Sequence, residues 1–204
     1  MAEKIDLLKQ MKHLYNPPKD PVAVEVPPLN FLMIDGHGDP NTSTAYQKAV
    51  EGLFSLAYTL KFALKKAEGI DFGVLPPEGL WWVEDMSLFS AEDKSSWDWT
   101  MMIAQPDFVT RDWVERARSE ALKKKGLPVL EQIRFEGYTE GLCAQLMHIG
   151  PYAAEGPNIA RLHNFIIQQG CERNGKHHEI YLSDVRRTAP EKLKIVIRQP
   201  MKKI

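Results

Sequence analysis

IVIRQP at Ile195–Pro200 and MMIAQP at Met101–Pro106 are one short phrase written twice, 94 residues apart (195 − 101). Each is an apolar run closed by Gln-Pro, the pattern of a strand that ends where proline removes a backbone donor. The chain leading up to each copy has the same order of elements. Before MMIAQP stand FLMID (31–35) and the turn GHGDPN. A helix capped by Thr42 or Ser43 then runs through about Lys66, and GLWWVED (79–85) and WTMMIAQ (99–105) follow as strands. Before IVIRQP stand GLCAQLMHIG (141–150), the helical NIARLHNFIIQQG (158–170), HHEIYLSD (177–184) and LKIVIRQP (193–200). Both passages read strand, helix, strand, strand.

This repeat predicts an α+β fold of two pseudo-symmetric strand–helix–strand–strand modules within one domain of 204 residues. Residues 1–29 hold an N-terminal helix over 3–15, with Ile5, Leu8, Met11 and Leu14 at helical spacing, and an edge strand alternating Val22, Val24 and Val26. Module one spans 30–106 and module two 132–204. A linker helix over 110–126 joins them, capped by Thr110 and left through Gly126 and Pro128. One helix covers one face of each module, so a ligand groove is expected between the two uncovered faces.

Composition narrows the function classes. Twenty-six basic residues against 27 acidic ones give a net charge of −1, which offers no electrostatic footprint for nucleic acid. Residues 1–29 are too few for a helix-turn-helix unit, so no direct DNA contact is expected. No apolar run reaches signal-peptide or transmembrane character, and the two cysteines lack CxxC spacing. The expected setting is cytoplasmic, away from membranes. GHGDP lacks the spacing of a phosphate loop, and no Ser-His-Asp or Cys-His arrangement has a recognisable elbow.

In HHEIYLSD the strand period places His177, Glu179, Tyr181 and Ser183 on one face, and His178, Ile180 and Leu182 on the other. Ile180 and Leu182 should meet the module helix, turning Glu179 and Tyr181 to the groove. A carboxylate against an aromatic wall should have a raised pKa and can hold a cation or serve water as general base. His177 and His178 point to opposite faces and have no third ligand at metal spacing, so no metal is expected, and no cofactor either. Sliding the repeats together sets Trp82 near Tyr181, on the groove face, with Trp81 toward the helix; a slip of one residue exchanges them. Trp99 is a further candidate wall and Trp97 reads as a surface residue. His148 at the end of the first strand of module two, with Tyr152 and Glu155 just beyond it, are candidates for the groove rim.

The strings IDGHGDPN, EGLWW, QLMHIGPYAAE, GKHHEIYLSD and PEKLKIVIRQP, spread over essentially the whole chain, resemble the GyrI-like small-molecule-binding family in its stand-alone branch. The resemblance implies an aromatic groove between two modules with a buried glutamate, which maps to Glu179 in the Glu-x-Tyr strand. It also implies hydrolysis of cyclopropane-bearing genotoxins, a detoxification with a small molecule as partner. Glu179 and Tyr181 are then the expected catalytic residues. Trp81, Trp82, Trp99, His148, Tyr152 and Glu155 are the expected ligand-binding ones. The alternative is a protein that sequesters a planar or cationic molecule without turning it over.

Overall fold

The structure, a computed structural model, describes residues 4–86 and 94–204. Two short helices, α1 (Leu7–Gln10) and α2 (Lys12–Tyr15), precede β1 (Val22–Val26) and β2 (Leu29–His37). The long α3 (Thr44–Glu68) leads to β3 (Pro77–Trp82) and β4 (Asp98–Gln105). After α4 (Arg111–Lys125) come β5 (Arg134–Tyr138), β6 (Gly141–Ile149), α5 (Gly156–Gln168), β7 (Cys171–Arg173), β8 (His177–Tyr181) and β9 (Lys194–Lys203).

Local chemistry accounts for these limits. Ser43 caps α3 by accepting from the Tyr46 amide, and Gly69 closes it in the left-handed region at φ 71°. Thr110 caps α4 in the same way, and Gly126 ends it at φ 60°. The N-terminal segment differs from the single helix expected over 3–15, whose first residue lies outside the described ones. The Ile5 backbone pairs with Phe72 in an isolated bridge, so helix begins only after Asp6, which caps α1, and breaks again at Met11. Leu7 is buried as a result, and Leu8 is exposed.

Among the described residues the nine strands form one sheet, and every strand pair is antiparallel. The order is β1-β6-β9-β8-β3-β4-β2-β5, with β7 beside the end of β9. The two halves meet at the centre, where β8 pairs β3. MMIAQ lies in β4 and IVIRQ in β9, each the middle strand of its half. β4 ends at Gln105 as expected, but β9 runs on through Pro200 to Lys203, where β7 pairs it, so the second Gln-Pro does not close its strand. The outermost strands are exchanged: β1, which leads into β2, pairs β6 of the other half, and β5, which leads into β6, pairs β2. Both β5 and β7 lie outside the sequence reading. Residues 134–138, RFEGY, contain a glycine and two charges and carry little strand signal.

Both module helices lie on the face that carries Glu179. Leu162 and Ile166 of α5 pack on Ala144, Leu146, Ile195 and Ile197, and Tyr46 of α3 touches Trp81 and Trp99. This corrects the expectation that Ile180 meets a module helix and Glu179 a helix-free face. Ile180 packs instead with Leu14, Tyr15, Cys143, Met147 and Val196, so the back of the sheet is covered here by Met11 and α2. The alternation along β8 holds, but the N-terminal segment takes the partner role assigned to the module helix. α4 stacks on α3, away from the sheet centre.

Candidate functional site

Glu179 sits at the junction of the halves, opposite Gly79 of β3 on one side and Ile197 of β9 on the other. It is 7% exposed. The Nε2 of His177 lies 3.1 Å from its Oε1, and the Tyr181 hydroxyl donates to its Oε2 at 2.6 Å. His177, Glu179 and Tyr181 are alternate residues of one strand, so the period of two brings all three to one face. Burial opposes ionisation of Glu179, but the His177 bond and charge and the Tyr181 hydroxyl outweigh it. The carboxyl is left below its ordinary value. This reverses the raised pKa expected from burial alone. The donors on its own strand were in view in the sequence, and their effect exceeds that of the wall.

The register of β3 settles which tryptophan joins Glu179. Trp81 pairs His177 across β3–β8 and shares the Glu179 face. Trp82 points to the opposite face, where the Lys176 ammonium lies 3.1 Å from its ring centroid. The placement of Trp82 beside Tyr181 is therefore corrected: the register of β3 against β8 puts Trp81 on that face, and a shift of one exchanges the faces. Gly79 explains where the indole goes. A Cβ there would fall 2.8 Å from Trp81 Nε1, so only glycine leaves room for the ring against the strand. Trp99 does the same over Gly36, where a Cβ would stand 2.1 Å from Cη2.

Tyr46 ties these rings together, 6.0 Å from Trp81 and 5.4 Å edge-on from Trp99. Trp97, expected at the surface, is 5% exposed and packs 5.5 Å from Trp81. From the second half, Tyr152 and Tyr181 approach to 5.6 Å. Burial and the nearby Glu179 charge raise the pKa of Tyr46, Tyr152 and Tyr181, with Tyr152 pushed up to about 12, so all three hydroxyls are protonated donors at neutral pH. Tyr46 was not among the expected site residues. Its place in the apolar rhythm of α3 disguised it as core.

Glu155 precedes α5 but makes no side-chain cap bond, and its Oε2 is buried with no hydrogen-bond partner among the described residues. Burial and the Glu179 charge push its pKa up to about 9, against a smaller opposing effect of Lys94. Burial and the Glu179 charge thus raise one carboxyl, Glu155, while the donors on β8 lower the other, Glu179. His148 takes no such part. Its Nε2 donates to the Pro151 carbonyl at 3.1 Å and its Nδ1 accepts from Asn158 Nδ2 at 2.8 Å, which pins the Gly150-Pro151 turn to α5. Both nitrogens are used internally, and the expected rim role gives way to a structural one.

Two clefts of about 370 and 360 Å³ lie elsewhere, one between α1 and the end of β4, the other between α3 and residues 127–132, with Trp99 in its wall. Among the described residues no cluster of three or more His, Cys, Asp or Glu is arranged to hold a metal, and no helix is long and apolar enough to cross a membrane.

Comparison with known proteins agrees with this architecture. The GyrI-like small molecule binding domain matches residues 19–202. No curated protein matches the chain. An uncharacterised conserved protein from Listeria innocua is 40% identical, with a TM-score of 0.91 over 97% of this chain and 100% of its own. A hydrolase from Listeria innocua is also 40% identical, with a TM-score of 0.88 over 98% of this chain and 100% of its own. The EcmrR C-terminal domain shares the fold alone, at 14% identity and a TM-score of 0.55 over 91% of this chain and 98% of its own. With its sheet, its paired halves and nearly its whole length accounted for, the chain belongs to the GyrI-like small-molecule-binding family.

Proposed function

We propose that the protein takes up planar hydrophobic or cationic small molecules against Tyr46, Trp81, Tyr152 and Tyr181 and hydrolyses the strained ring of cyclopropane-bearing genotoxins. The buried Glu179, bonded by Tyr181, contacted by His177 and set among the tyrosine and tryptophan rings, carries this reading. A cyclopropane fused to a dienone opens when water attacks its CH₂ carbon. The ring C–C bond breaks, its electron pair aromatises the dienone, and the carbonyl oxygen becomes a phenolate. Glu179 takes the proton that water loses, and Glu155 gives its proton to the phenolate, so the sum is addition of one water. The two carboxyls regain their starting states by exchanging that proton with solvent. Tyr181 donates to Glu179 and fixes its direction, while Tyr152 is free to polarise the oxygen. The Listeria innocua relative described as a hydrolase supports the reaction class.

Incubation with a cyclopropadienone alkylator, followed by mass, should give a product heavier by one water. Glu179→Gln should lower turnover by roughly 10²–10⁴-fold, the worth of a positioned base, with neutral-ligand affinity little changed. Full turnover in that variant would remove Glu179 from the chemistry. A second reading, sequestration without turnover, is favoured by an ionised carboxylate set among aromatic rings, which suits a cation. Under it Glu179→Gln loses cation affinity and no water is ever added.

A further inference from the structure

We propose that the outer ridge of α3 is a self-association surface, on which a second copy of this chain docks antiparallel about a twofold axis through Tyr58. Phe54, Tyr58 and Phe62 form a ladder along the helix, with ring centroids 6.2 and 6.4 Å apart and planes within 27° and 26° of parallel. Tyr58 is 47% exposed and Phe62 59%, a large apolar exposure for a ridge of which Phe54 packs on the core while the other two rings face outward. The rings are spaced four residues apart, so they form one continuous ridge of the kind that interlocks between helices.

The pattern is symmetric about Tyr58 in a way that selects its partner. Phe54 and Phe62 lie four residues to either side, and Glu51 and Lys65 lie seven to either side (58 − 51 and 65 − 58). Seven residues is close to two turns, which keeps all of them on one stripe. A second copy running antiparallel sets Tyr58 against Tyr58, Phe54 against Phe62, and Glu51 against Lys65 at both ends. A twofold interface requires this self-complementarity. Glu51 is exposed and makes no ion pair within the chain among the described residues. Lys65 uses one N–H on Asp71 at 2.7 Å and keeps the others for a partner. A parallel pairing would set like charges together. One helix ridge lies at the small end of specific interfaces, roughly 1,200 Å² or less, so the dimer is concentration-dependent.

Sedimentation velocity on the full chain, from about 1 to about 500 µM, tests the pairing across the affinity range such an interface reaches. The wild-type protein should pass from monomer to dimer. Tyr58→Glu should weaken the dimer on the order of tenfold or more while far-ultraviolet dichroism and the melting transition stay as in wild type. Glu51→Lys should weaken it as well, and adding Lys65→Glu in the same chain should restore it, a rescue that only antiparallel register allows. A monomer at the highest concentration, a dimer indifferent to Tyr58→Glu, or failure of the charge-swapped chain to pair would overturn the proposal. Co-sedimentation of a monomeric protein with phosphatidylcholine–phosphatidylglycerol vesicles, abolished by Tyr58→Glu, would assign the ridge to lipid instead.

Discussion

Two neighbouring residues of β8, His178 and Glu179, head two clusters that lie back to back through the sheet. Behind it, His178 Nδ1 is 2.9 Å from Glu140 and its Nε2 is 3.0 Å from Glu78. Arg198 holds Glu140 at 3.0 Å, Gln145 at 3.1 Å and the Leu14 carbonyl at 2.8 Å, and Tyr15 donates to Glu78 at 2.7 Å. The Nε2 contact falls short of hydrogen-bond angles, yet at that distance it remains a close ion contact. The two carboxyl groups face an imidazolium, whose pKa the same neighbours lift to about 9 against burial, and a guanidinium. In front, Trp81 Nε1, Trp99 Nε1 and Glu155 Oε2 are buried without a hydrogen-bond partner among the described residues. Buried polar groups normally find partners. The back therefore reads as architecture that ties β3, β6, β8, β9 and α2 together, and the front, under the proposed function, as the side that meets the small molecule.

The comparison predicts stability losses behind and functional losses in front. Arg198→Ala should cost about 3–5 kcal/mol of folding free energy, because it leaves the buried carboxyl groups of Glu78 and Glu140 to share the one cation of His178. Denaturant titration measures this, and a loss within the noise of a surface substitution would break the contrast. Glu155→Gln should lower turnover by on the order of 10²-fold while stabilising the protein at alkaline pH. The sign follows from the raised pKa, about 9 in the folded chain against 4.5 for a free carboxyl. Between those values the folded state binds the extra proton, so stability falls as pH rises through that window. Removing the group removes the fall, at about 2–4 °C of melting temperature per kcal/mol relieved. Equal melting curves at pH 9 would show Glu155 in water. In the wild type, kcat/KM should decline as pH rises through about 9.

The smallest effects separate the tryptophans. Trp81→Phe should weaken a planar ligand several-fold, about 0.5–1.5 kcal/mol beyond area burial. Trp82→Ala should leave affinity unchanged and lower stability, because it removes both the Lys176 contact and the packing of the ring on the core. Calorimetric titration of both variants with one ligand decides the order, and the reverse order would return Trp82 to the site.

The α+β class and most element boundaries were legible because period, caps and breakers act locally: Ser43, Thr110 and Gly126 are where their chemistry requires. The faces of β8 were legible for the same reason. The choice between Trp81 and Trp82 was not, since it depends on a pairing register fixed by the sheet as a whole, although Gly79 two residues before Trp81 is the local mark of an indole needing room. Glu140 and Arg198 escaped notice because their role exists only once segments distant in sequence meet behind β8. His148 misled for the opposite reason: a histidine beside a turn looks reactive until its two nitrogens are counted.

The exchanged outer strands set the order in which the chain can finish folding. Val22 pairs with Gln145, 123 residues further on (145 − 22), and the outer edge of β2 stays open until residues 134–138 arrive to close it. During synthesis the first half therefore emerges with a strand it cannot seat and an edge it cannot seal. Closing such long loops is slow, and an open edge invites pairing with a neighbouring chain. The nascent first half keeps an open edge from the completion of β4 until β8 seals β3, so a pause in translation around α4 should lengthen that interval and lower the soluble yield.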